Sequence, residues 1–119
     1  MSNYTARREM MVNTQIRPSD VTKFPILDAM LTIPRENFVP RDKREVAYIG
    51  ENIALGGDRV IIDPRTLAKL LDALDVIQNE LVLDIASGLG YSSAILSRLA
   101  EAVVSVEDDS VRVSEIEET

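Results

Sequence analysis

The chain has 119 residues, of which 45% are apolar and 28% charged, the balance of a folded domain rather than a disordered segment. It contains no Cys and no His, which excludes disulfides, thiolate nucleophiles, Cys/His zinc sites and every Ser–His or Cys–His triad. The net charge of −7 sits in one half: residues 1–60 hold nine Lys/Arg against eight Asp/Glu, and residues 61–119 hold four against twelve. An acidic half lacks the clustered Lys/Arg of a phosphate-tracking surface, so no nucleic-acid partner is expected, and solvated helix faces account for the charge. No apolar run reaches the roughly 18 residues of a membrane helix, and the start lacks a signal-peptide pattern, so no membrane partner is expected. A cytoplasmic location agrees with the missing cysteines.

In chain order, residues 7–16 read as a short helix with Met10, Met11, Val12 and Ile16 apolar, stopped at Arg17-Pro18 because Pro disfavours the helical region for its predecessor. A second helix is expected over 25–31, where Leu27, Met30 and Leu31 follow helical spacing and Thr22 is the candidate cap. Pro34 and Pro40 bracket an irregular stretch. Residues 52–55 and 60–62 look extended around Gly56-Gly57-Asp58, which predicts a hairpin. Asp63-Pro64 pairs a good N-cap with a good first helical residue, and Leu67, Leu70, Leu71 and Leu74 then mark one buried stripe.

The period changes in the second half. Residues 81–86 form a short apolar run suited to a strand buried on both faces, Ser87-Gly88-Leu89-Gly90 a turn, and 91–100 a helix with Ile95, Leu96 and Leu99 inward. Residues 102–106 are a second buried strand ending at Glu107. Strand, Gly-rich turn, helix and strand make a βαβ unit, hence two parallel strands and an α/β fold.

Ligands of such units sit beyond the carboxyl ends of the strands. Gly88 and Gly90 let the backbone approach a ligand closely, and the N–H groups opening the next helix favour a negative group. Glu107 at the second strand end can accept two hydrogen bonds from a ribose diol and would repel a 2′-phosphate, which points to an adenosine-type ligand. Asp84 needs a partner inside an apolar strand: it could orient the turn's N–H groups or meet a ligand's ammonium through water. S-adenosylmethionine carries that ammonium and a dinucleotide does not. Gly88-x-Gly90-x-x-Ser93 also departs from the dinucleotide fingerprint, so a nicotinamide module is the weaker reading. A tight turn with no ligand is the plain alternative.

From about residue 8 to 115 the sequence resembles the protein-L-isoaspartate O-methyltransferases in their bacterial branch. Met10-Met11-Val12 with Gln15-Ile16 resembles the family's opening pattern, and Ile33-Pro34-Arg35-Glu36-Asn37-Phe38-Val39-Pro40 its Val-Pro-Arg-x-x-Phe-Val segment. Ala47-Tyr48 and Ile53-Ala54-Leu55 match two further landmarks loosely. Val82-Leu83-Asp84-Ile85-Ala86-Ser87-Gly88-Leu89-Gly90-Tyr91 resembles the first cofactor motif, and Val104-Ser105-Val106-Glu107 the second. The resemblance implies part of a Rossmann-like class I S-adenosylmethionine-dependent methyltransferase fold preceded by a helical N-terminal segment. Residues 1–62 would be the helical and hairpin segment, and 63–119 the first part of a truncated cofactor-binding domain.

It further implies methyl transfer from S-adenosylmethionine to the carboxylate of isoaspartyl residues in damaged proteins or peptides. The cofactor-binding residues would be Asp84, Ala86, Ser87, Gly88, Gly90, Tyr91, Glu107 and Asp108, with the methionine part along 86–90 and the ribose on Glu107. Three departures stand out. Ala86 replaces a Gly. Ile62 stands where the family has an active-site Ser, and cannot donate its hydrogen bond, so no catalytic residue is assigned. Family members are also longer, so this chain is expected to be an N-terminal fragment whose exposed sheet edges favour pairing between copies. A non-catalytic cofactor-binding or protein-interaction remnant of the fold is the alternative function, and no metal site is expected.

Overall fold

A computed structural model of the chain describes residues 3–85 and 88–107. Helix α1 (Tyr4–Met11) starts earlier than expected, because the Asn3 side chain accepts the Ala6 amide and caps it. The path does not stop at Arg17-Pro18 either. It runs on through a π-helical turn (Val12–Ile16) and a 3-10 turn (Arg17–Ser19) to Asp20, at a left-handed φ of 64°. Pro18 fits in the first turn of the 3-10 segment, where an N–H has no helical partner to lose, and the Ser19 hydroxyl donates to the Gln15 carbonyl.

Helix α2 (Phe24–Thr32) also corrects the expected cap. Thr22 lies outside it, and Lys23 holds the N-cap position without a side-chain bond. Pro25 sets the first turn instead, and the Lys23 carbonyl accepts from both Ile26 and Leu27. Ile26, Leu27, Ala29 and Met30 go into the core. Short 3-10 turns (Arg35–Phe38 and Arg41–Val46) fill the stretch after Pro34 and Pro40. The expected hairpin follows: β1 (Ile53–Gly56) pairs antiparallel with β2 (Arg59–Ile61), and Gly56 and Gly57 take φ of 103° and 58° at the turn.

Asp63 caps helix α3 (Pro64–Leu74) as expected, accepting the Thr66 amide at 3.0 Å and the Thr66 hydroxyl at 2.7 Å. Burial alone would raise the Asp63 pKa, but the two Thr66 bonds, its own amide and the charge of Arg35 together outweigh it and hold the carboxyl below its usual value. A depressed folded-state pKa gives stabilisation above the unfolded-state value of about 3.9 that is lost as pH falls through the folded value. Asp63→Ala should therefore cost about 1 kcal/mol at neutral pH. In urea titrations the gap to the native chain should narrow as pH drops below about 4. A gap unchanged at acid pH would place the effect elsewhere than in the ionised cap.

The buried stripe of α3 is Pro64, Leu67, Ala68 and Leu71, while Leu70 and Leu74 are exposed. The helix is rotated so that the small Ala68, not Leu70, is turned inward, which lets α3 approach the Val12–Ile16 turn. Met11, Val12, Ile16, Met30, Ala68 and Ile95 form the centre of a single core that draws on both halves of the sequence.

Strand β3 (Leu81–Ile85) pairs parallel with β4 (Ala102–Val106), in register from Leu81 opposite Ala102 to Ile85 opposite Val106. Helix α4 (Tyr91–Ser97) joins them and is shorter than the expected 91–100, its last turn closing by bonds from Arg98 and Leu99 to Ile95 and Leu96. The strands are not buried on both faces. Val82 and Val103 pack on the core, but Leu81, Leu83 and Ile85 are 74%, 58% and 69% exposed, with Val104 and Val106 beside them. A parallel sheet needs elements on both sides to be covered, and among the described residues only one side has them.

Candidate functional site

The turn after β3 and the end of β4 meet the hairpin. Gly88 takes φ 64° and Gly90 φ 99°, conformations that suit glycine, and the Gly88 amide donates to Glu107 Oε1 at 2.8 Å. Glu107 directly follows β4, and its side chain is only 2% exposed. Arg59, the first residue of β2, donates to both of its oxygens, Nη2 to Oε1 at 2.6 Å and Nη1 to Oε2 at 3.0 Å. Leu55 covers the same turn: a Cβ added to Gly88 would lie 3.2 Å from Leu55 Cδ1. Among the described residues, the hairpin thus lies across the glycine turn with the Leu55 contact and the forked Arg59–Glu107 ion pair fastening it there.

Asp84 is half-buried in β3 and accepts the Ser92 and Ser93 hydroxyls at 2.6 Å each, while the Ser105 hydroxyl donates on to Ser93. Its hydrogen bonds among the described residues therefore fix the opening of α4. The turn amide at Gly88 is held by Glu107. Ala86, Ser87 and Asp108 lie outside the described residues.

Ile62 is half-buried just past β2 and lines a cavity of about 130 Å³ with Leu55, Leu67, Gly88, Tyr91 and Ser92. Its side chain offers the cavity no hydrogen bond, but its carbonyl accepts Arg35 Nη2 at 3.1 Å. Arg35 is fully buried; its Nε donates to the Ala47 carbonyl at 2.6 Å, and its guanidinium lies 4.7 Å from the centre of the Tyr91 ring. Burial lowers the Arg35 pKa, opposed by Tyr91, Tyr48 and the charge of Asp63. Behind it, the Tyr48 hydroxyl donates to Glu36 and accepts from Arg8 Nε at 2.8 Å and the Arg35 amide at 3.0 Å. Burial and the Glu36 bond push the Tyr48 pKa up to about 12 in spite of Arg8.

Of the residues expected at a site, Gly88 and Glu107 are in direct contact, Asp84 anchors the helix that Gly90 opens, and Tyr91 and Ile62 share a cavity wall. Arg59, Leu55 and Arg35 are additional members. Arg59 left a faint sequence signal, a charge at the start of an apolar strand, but no local pattern says that it reaches residue 107. Among the described residues no group of three or more His, Cys, Asp or Glu could hold a metal, and no helix is long and apolar enough to cross a membrane.

The sequence profile of the protein-L-isoaspartate(D-aspartate) O-methyltransferase family matches residues 6–118. A protein-L-isoaspartate O-methyltransferase 2 of Pelobacter propionicus is 36% identical over 107 residues, which is 90% of this chain and 48% of that protein. A Syntrophus aciditrophicus protein-L-isoaspartate O-methyltransferase is 39% identical over 107 residues, covering 90% of this chain and 49% of its own length. The chain spans about half the length of the curated relatives it matches. One solved protein-L-isoaspartate O-methyltransferase superposes with a TM-score of 0.77 at 24% identity, over 93% of this chain and 37% of the other. A Plasmodium falciparum protein described as a putative protein-L-isoaspartate O-methyltransferase, in complex with S-adenosyl-L-homocysteine, gives 0.74 at 18% identity, over 99% of this chain and 55% of the other. These likenesses show the α/β class I methyltransferase fold, and the profile match carries the conclusion that the chain belongs to the protein-L-isoaspartate (D-aspartate) O-methyltransferase family.

Proposed function

We propose that this chain carries the adenosine side of an S-adenosylmethionine pocket in a methyltransferase acting on isoaspartyl carboxylates of damaged proteins. The observation behind this reading is the pair Gly88 and Glu107: a left-handed glycine whose amide is bonded to a buried carboxylate at a parallel strand end. The residues fit the cofactor. Glu107 would accept the ribose diol, Gly88 and Gly90 would admit the methionine part beside the turn, and Leu55 and Tyr91 would wall the space. Asp84 would act through Ser92 and Ser93 by holding α4 in place. In this reading residues 1–62 are the helical and hairpin segment of the family and 63–119 the first part of the cofactor domain.

The cofactor supplies a methyl group on a sulfonium, an activated carbon with a good leaving group. An acceptor carboxylate is already a nucleophile, so its oxygen would take the methyl group as the methyl–sulfur bond broke, and no residue of this chain would have to move a proton. A chain without His loses nothing by this chemistry. Its residues have to position the reactants and exclude water, and alignment can supply most of the rate.

Calorimetric titration with S-adenosyl-L-homocysteine tests the pocket, and no heat from a folded chain would remove it. Radiolabelled methyl transfer to an isoaspartyl peptide tests the reaction in the full-length protein. A second reading, a non-catalytic remnant of the fold, is favoured by Ile62, which lines the cavity with an apolar side chain. Turnover by the native full-length protein would exclude the remnant. Inactivity restored by Ile62→Ser would establish it.

Copies of the chain are also proposed to pair through the exposed edges of the β3–β4 sheet, where Leu81, Leu83 and Ile85 are exposed. Sedimentation should show concentration-dependent association that Leu83→Lys abolishes; a monomer at all concentrations removes this proposal.

A further inference from the structure

The carboxylate best placed to take a ribose is already taken. Glu107 accepts at least three hydrogen bonds, two from the Arg59 fork and one from the Gly88 amide. An ionised carboxylate offers about four lone-pair sites on two oxygens. A ribose diol needs two of them, one on each oxygen in the carboxylate plane, and that is the approach a forked guanidinium occupies. Arg59 and the diol therefore cannot both make their full set of bonds. The Gly88 amide comes from the turn itself and can stay. Arg59 comes from β2, and its side chain is 31% exposed, so it has water to move into.

We propose that Arg59 is a displaceable latch: it pins the β1–β2 hairpin over the glycine turn by pairing with Glu107, and the ribose of the incoming cofactor releases it. The inference rests on Glu107 being the ribose acceptor. The hairpin carries a second contact on the same turn, Leu55 against Gly88, so release of Arg59 loosens the tip of the hairpin over that turn while Ile53 at its base stays in the core. Ile61 and Ile62, at the far end of the hairpin, line the adjoining cavity, so the latch ties cofactor binding to the shape of that cavity. A closed latch lowers apparent affinity by the fraction of molecules that are open.

The test is titration of the native chain, Arg59→Gln and Arg59→Lys with S-adenosyl-L-homocysteine at low and moderate salt, with hydrogen exchange followed at the amides of residues 53–61. Arg59→Gln is expected to bind about tenfold more tightly than the native chain, the effect of a latch closed about nine-tenths of the time. Arg59→Lys, which keeps the charge and loses the fork, should fall between. Added salt should tighten binding to the native chain and leave Arg59→Gln unmoved. Saturation of the native chain should speed exchange in the hairpin. Equal or weaker binding by Arg59→Gln, while the native chain binds, overturns the latch and leaves the cofactor reading standing. No heat from any of the three folded proteins overturns both.

Discussion

Arg35→Met is expected to lower the unfolding free energy by about 3 kcal/mol, a large share of the roughly 5–15 kcal/mol typical of a domain. Two terms oppose each other. Removing the guanidinium relieves the cost of a buried charge that, among the described residues, has no carboxylate as a hydrogen-bond partner. Against that, the carbonyls of Ala47 and Ile62 lose charged donors, each worth about 1.5–3 kcal/mol, and the Tyr91 ring loses a desolvated cation worth up to about 2 kcal/mol. Methionine replaces the stem but none of the donors, so the second set prevails. The damage is also long-range, because Arg35 ties the residues after the first helices to the end of the hairpin and to the start of α4. Arg35→Lys should lie between, since one ammonium cannot reach both carbonyls in the plane of the fork. Urea unfolding followed by circular dichroism measures both variants. A loss under about 1 kcal/mol for Arg35→Met would mean that water or repacking satisfies the carbonyls.

The elements that local chemistry controls were legible in the sequence. Asp63-Pro64 starts a helix, Gly56-Gly57-Asp58 turns a hairpin, and the apolar run before Gly88 is a strand parallel to the one ending at Glu107. The features that were not legible depend on partners distant in sequence. Leu70 and Leu74 fit a buried stripe by spacing, but Ala68 is turned inward in place of Leu70, a choice made by the Val12–Ile16 turn and not by α3. Pro18 reads as a stop, yet it is tolerated because the segment tightens into a 3-10 turn where the missing amide has no consequence. Leu81, Leu83 and Ile85 read as core because a strand with no polar side looks covered on both faces. Arg35 shows the limit most clearly. An arginine between a proline and a glutamate carries the signature of a surface residue, and only the fold reveals that it is fully buried. At the candidate site the glycines are recognisable because a positive φ demands their type, and Glu107 because a carboxylate closes an apolar strand. Arg59 is invisible until the hairpin is seen to lie across the turn.

Glu107→Gln is expected to weaken binding of S-adenosyl-L-homocysteine about 100-fold, the loss of roughly 3 kcal/mol. A carboxylate can accept from both ribose hydroxyls at once, whereas the amide of glutamine presents a donor to one of them. The effect on stability should be smaller, about 1–2 kcal/mol. The side-chain carbonyl of the substituted glutamine can still accept the Gly88 amide, and Arg59, part-exposed, can turn its charge to water. Removing the same ion pair from its two ends should therefore move affinity in opposite directions: Glu107→Gln loses the acceptor, while Arg59→Gln loses the competitor. That opposition separates a ribose-binding carboxylate from a purely structural one. If Glu107 only fastened the hairpin to the turn, both substitutions would break one contact and shift affinity alike, whether up or down. Calorimetry on the two variants at matched salt decides between these outcomes, provided unfolding curves first show that both are folded at the temperature of the titration.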